Sequence, residues 1–225
     1  MNCTIVRIIY LSLFSIAMAY LESAVVVYLR FIYYPDTFDL SVFKIPPEIL
    51  TIEIGREAAT MVMLAALAWI AAREFKIRFA GFIFCFGIWD LFYYIWLKAF
   101  INWPEYWLEW DILFLIPTAW LAPWLVPAII SIFMILCSTL VFIFPERFEK
   151  YIFNLYEWLI VLASMLIILY TFLYQTSRFI NGQIPETYPW SLFIIGVLLS
   201  ISLVFRRMIF SGRKKIQPDM PHQTD

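Results

Sequence analysis

The sequence predicts an all-α fold, a polytopic membrane helix bundle of about six transmembrane helices. Three observations carry that prediction. First, 64% of the 225 residues are hydrophobic and only 15% are charged, with a mean hydropathy of +0.83. A soluble domain runs near 45–50% apolar and about 25% charged, so this excess cannot be buried in one soluble core. Second, apolar runs of spanning length recur along nearly the whole chain, which leaves no room for a soluble domain. Third, the bases collect in particular loops and in the tail, as the positive-inside rule requires.

The first span reads as 6–34. Ala17 and Ala19, flanking Met18 after an apolar run, imitate a signal-peptidase site. The apolar run resumes at Ala24 and continues to Tyr34, so the expectation is an uncleaved, full-length helix. Residues 35–48 form a turn-rich loop, and the second span, 46–72, starts on Pro46 and Pro47, which suit a first turn. A short basic loop holding Arg73, Lys76 and Arg78 leads to a third span over 80–101. The connection at 102–110, NWPEYWLEW, has the Trp and Tyr density of a membrane–water interface.

The stretch 111–144 is longer than one span needs and is interrupted by Pro117, Pro123 and Pro127. Two readings compete: a re-entrant or interfacial segment at 111–122 before a span at 123–144, or one long kinked helix from Asp111. The first is the expectation. PERFEKY is read as a loop, 152–174 as the fifth span, 175–189 as a polar loop and 190–210 as the sixth span. The chain divides into a bundle, 1–211, and a polar tail, 212–225. No repeat of fixed period and no inverted three-plus-three repeat is visible.

Six spans put both termini on one side. Arg73, Lys76, Arg78, Arg206, Arg207, Arg213, Lys214 and Lys215 would then face the cytoplasm. The opposite loops carry Asp36, Asp39, Glu48, Glu105 and Glu109. The expected location is the cell membrane, multi-pass, with both termini cytoplasmic.

The second span organises the chemistry, because it carries Glu53 and Glu57 beneath its own entrance. Glu22, Asp90 and Asp111 lie in or beside other apolar stretches. A charge in hydrocarbon costs at least a few kcal/mol, so such residues mark function by default. At a rise of ~1.5 Å per residue, Glu57 lies about 15 Å down its helix, Asp90 about 16 Å from either end of its span and Glu22 about 18 Å from its outer end. Glu53, Glu57 and Thr60 share one helix face, as do Asp90, Tyr94 and Lys98 on the third span and Glu22, Val26 and Arg30 on the first. The result would be an outward-opening polar funnel lined by Arg30, Arg56 and Lys98 and ending in carboxylates.

The five acids, Glu22, Glu53, Glu57, Asp90 and Asp111, outnumber the three nearby bases, and the surplus must be protonated, metal-bound or hydrated. The leading expectation is a carboxylate site for a cation or proton, in a transporter. Glu22, Glu53, Glu57 and Asp90 are the candidate ligands for a divalent metal, because oxygen donors favour hard cations. The alternatives are a membrane-embedded metalloenzyme acting on a lipid-borne substrate, and a structural subunit whose buried ion pairs fix helix packing. No GxSxG, HExxH or DxxxD motif supports an enzyme. His222 is the only histidine and lies in the tail, so no haem is expected. Cys3, Cys85 and Cys137 have no paired spacing, which argues against a disulfide framework or a zinc site. The expected partner is the lipid bilayer; an oligomer is allowed and no nucleic acid is expected.

Overall fold

A computed structural model describes residues 3–33, 46–149, 154–183 and 185–210 of the chain. Asp36 and Asp39 of the first outer loop, and Arg213, Lys214, Lys215 and His222 of the tail at 212–225, lie outside the described residues. The elements are α1 (Cys3–Tyr33), α2 (Pro47–Ala71), α3 (Phe75–Ile101), β1 (Trp110–Phe114), β2 (Trp120–Pro123), α4 (Leu125–Ile143), α5 (Pro145–Glu149), α6 (Leu155–Leu173), α7 (Thr176–Ile180) and α8 (Trp190–Phe210).

Among the described residues, five helical stretches are long and apolar enough to cross a membrane: Thr4–Tyr33, Pro47–Ala71, Phe75–Ile101, Leu125–Ile143 and Leu155–Ile180. The sixth expected span, on α8, has a shorter apolar stretch, Trp190–Val204. Pro47 opens α2, where its missing N–H costs no hydrogen bond. The third helix begins at Phe75 rather than 80, so Lys76 and Arg78 sit in its first turn instead of in a loop. It ends at Asn102 in the left-handed conformation (φ 55°), whose N–H donates to the Lys98 carbonyl at 3.1 Å. A capping box starts α6: the Asn154 side chain accepts from Glu157 N, and Glu157 reaches back to Asn154 N. Two expected loops contain a helical turn, α5 within PERFEKY and α7 within 175–189.

The bundle is organised around α3, which packs against α1, α2 and α4, while α6 and α8 form a separate pair. Small residues set the close approaches. A Cβ on Gly87 would stand 2.9 Å from the Ser131 carbonyl oxygen, so α3 and α4 come together only because that atom is absent. Ala68 of α2 faces Gly81 of α3 less tightly: a Cβ on Gly81 would meet the Ala68 Cβ at 3.5 Å, an ordinary contact. The other alanines on α2 do not follow suit: Ala58, Ala59, Ala65 and Ala66 are exposed. On the α6–α8 side, Ser164 Oγ donates to the Gly196 carbonyl at 2.7 Å across the helices.

The described residues are mostly helical, as expected of an all-α bundle, with one local departure, an antiparallel hairpin of β1 and β2 that pairs Trp110 with Pro123, Asp111 with Ala122, Ile112 with Leu121 and Phe114 with Trp120. That hairpin excludes the alternative of one long kinked helix from Asp111. Pro117 and Pro123 cannot donate within a helix; cross-strand pairing takes up backbone groups of the two strands, and the Leu115 N–H and Ala119 carbonyl between them go to Glu57 and Thr176. Non-helical backbone among spanning helices is tolerated where protein covers it. Here β2 packs on α4 and α6, and Phe114 stacks on Phe86 of α3. Trp120 stacks on Phe172 of α6 at 5.8 Å, so the hairpin joins the α3-centred group to the α6–α8 pair.

Candidate functional site

The buried residues of α2 are Glu53, Glu57, Thr60, Leu64 and Ala68, one stripe at helical spacing with its polar members at the N-terminal end. Arg56, beside that stripe, is the centre of one charge group. Its Nε donates to Glu53 Oε2 at 2.7 Å, its Nη2 lies 2.7 Å from the same oxygen, and its Nη1 pairs with Glu22 of α1. One guanidinium therefore serves two carboxylates, an arrangement its fixed fork of donors suits.

The second charge group sits where α1, α3 and the hairpin meet. Arg30 Nη2 lies 3.8 Å from Asp111 Oδ1, and the Tyr94 hydroxyl donates to Asp111 Oδ2 at 3.1 Å. The Arg30 guanidinium also rests on the Trp103 ring, 4.4 Å from its centroid. Asp111 owes its position to strand pairing, since β1 turns it inward opposite buried Ala122.

Two carboxylates remain, and each has a neutral partner. Glu57 Oε2 accepts the Leu115 backbone N–H at 2.9 Å, which ties the helix stripe to the end of β1. Asp90 Oδ2 accepts the Ser131 hydroxyl at 2.7 Å, across the close contact that Gly87 permits. Among the described residues, neither has a basic group within salt-bridge distance.

The expected funnel is corrected in three respects. Lys98 does not line it: its Nζ donates to the Asn102 and Pro104 carbonyls and holds the chain leaving α3. Tyr94 serves Asp111, and Asp90 is joined to Ser131 instead of Lys98. The proposed metal set, Glu22, Glu53, Glu57 and Asp90, is not gathered on one point. Arg56 stands between Glu22 and Glu53 where a cation would have to bind, and Asp90 faces α4. Among the described residues, no three His, Cys, Asp or Glu side chains come together so as to hold a metal ion.

Sequence reasoning missed Ser131 and the Leu115 N–H. Ser131, one of two serines in the apolar run of α4 with Ser138, was a weak signal, and a backbone donor leaves none. Glu157 and Gln175, near the two ends of α6, are also buried, at 7% and 3% exposure. Glu157 closes the capping box, and Gln175 Nε2 donates to the Thr187 carbonyl at 2.8 Å.

No protein-family model, no curated protein and no solved structure matches this chain. What it does has therefore to be argued from the site.

Proposed function

We propose that the protein is a multi-pass membrane protein in which Glu57 and Asp90 take up and release protons, as the coupling groups of a proton-linked carrier. In this reading both termini lie on the cytoplasmic side, with α8 as the sixth span. The observation that supports this reading is the division of partners. Two arginines serve Glu22, Glu53 and Asp111, while among the described residues Glu57 and Asp90 have only a backbone N–H and a serine hydroxyl. A carboxylate without a counter-ion in an apolar bundle is the group that a proton neutralises at least cost. Glu57 also offers a coupling element. When ionised it is a strong acceptor for Leu115 N–H, and protonation weakens that bond and loosens the hairpin from α2.

Proton binding is preferred to a metal cation because the carboxylates are divided among separate partners. The structural-subunit reading has one observation in its favour: Arg56, bridging Glu53 on its own helix to Glu22 on α1, is a packing lock. We assign that role to Arg56 and the proton-binding role to Glu57 and Asp90.

Infrared difference spectroscopy across a pH titration reads the carbonyl stretch of protonated carboxyls directly. The wild type is expected to show a titrating buried-carboxyl band that shrinks in Glu57→Gln and again in Asp90→Asn. A wild type without such a band overturns the proposal. Metal content of the same preparation is the companion measurement, and a stoichiometric divalent metal lost in Glu57→Gln would replace the proton with a cation.

A further inference from the structure

Where α2 passes into α3, exposed rings and bases share one surface. Trp69, Ile70, Phe75 and Phe79 are 58%, 83%, 72% and 58% exposed, and Phe75 and Phe79 stack with centroids 6.5 Å apart. Arg73 and Lys76 are exposed beside them. Arg78 is positioned by its surroundings: its guanidinium carbon lies 3.8 Å from the Trp69 ring centroid, and its Nε donates to the Ala72 carbonyl at 2.9 Å. Lys76 Nζ is engaged with the Phe148 carbonyl, and Glu74 is the one acid in the turn. Three bases against one acid leave the turn with an excess of two positive charges.

Trp69 lies two residues before the end of α2, a rise of about 3 Å, so its ring is at the level where a spanning helix meets lipid headgroups. Exposed indole and phenyl rings there are suited to the glycerol and upper acyl region. A guanidinium held over a ring by its central carbon keeps its remaining donors for a planar or tetrahedral oxyanion. Bases at this level are drawn to an anionic leaflet.

We propose that the α2–α3 turn is a binding site for an anionic phospholipid, with Arg73 and Arg78 on the headgroup phosphate and Trp69, Phe75 and Phe79 against the lipid body. The site is remote from the carboxylates and does not depend on the proton-linked reading.

Native mass spectrometry of the full-length, detergent-purified protein with phosphatidylglycerol or phosphatidylcholine tests it. The wild type is expected to retain phosphatidylglycerol in preference. Arg73→Gln, at an exposed residue whose loss should leave the fold intact, is expected to weaken the tightest phosphatidylglycerol site by roughly fivefold, and Arg73→Gln with Arg78→Gln on the order of twentyfold. Excess inorganic phosphate is expected to leave the lipid bound. Equal retention of the two lipids overturns the proposal, as does phosphatidylglycerol affinity unchanged in both variants. Displacement by inorganic phosphate would identify a phosphate site without a lipid.

Discussion

Arg56 shows how much one side chain can hold in a bundle of this kind. It holds Glu53 on its own helix and reaches across to Glu22, so the contact with Glu22 ties α1 to α2. Removing one member of a buried pair costs more than the pair contributes, because the remaining charge is stranded. Arg56→Gln is expected to lower stability by about 3–5 kcal/mol, measured as the shift of the unfolding midpoint in mixed micelles. Adding Glu22→Gln to that variant should restore part of the loss by removing a stranded carboxylate. A midpoint unmoved by Arg56→Gln would show that the guanidinium is dispensable for packing. The same reasoning separates Glu57 and Asp90 from the other acids, since their hydrogen-bond donors are neutral.

The hairpin is the element on which the tertiary arrangement turns. Inside lipid there is no hydrophobic force to press elements together, so packing and hydrogen bonds carry the association. The hairpin supplies both: Phe114 and Trp120 stack on rings of α3 and α6, and Leu115 N and the Ala119 carbonyl bond to Glu57 and Thr176. Trp120→Ala removes ring contacts with Phe114 and Phe172 together and is expected to cost about 3–5 kcal/mol in the same unfolding assay. Trp107→Ala, whose ring is 74% exposed and stacked only on Trp124 among the described residues, is the control and should cost less than about 1 kcal/mol. Equal effects at the two positions would refute a bridging role for the hairpin. Pro117 and Pro123 marked this region in the sequence as a place where a helix stops. They did not indicate a strand pair, because strand pairing depends on which residues come opposite each other across the turn.

For the whole molecule, orientation follows from the placement of the bases. In a cysteine-free background, Glu105→Cys should react with a membrane-impermeant maleimide added to intact cells, and Arg73→Cys should react only after permeabilisation. The reverse pattern would invert the topology proposed above. Five apolar helices of spanning length and the polar stripe of α2 were legible in the sequence for one reason. Each depends on residues within a single helix, where a period of 3.6 and a rise of 1.5 Å convert spacing into face and depth. The partners of those polar residues were not legible, because they lie on other elements. Asp90 meets Ser131 because Gly87 lets α4 come close, and Lys98 turns away to cap the end of its own helix. By itself, then, the sequence determined that this chain suits a bilayer and which acids fall within or beside its apolar stretches, because hydrophobicity and helical period are local properties. Which acid receives an arginine, and which only a neutral donor, was decided by tertiary structure, because it depends on the rotation of each helix against its neighbours and on a hairpin that pairs at a distance.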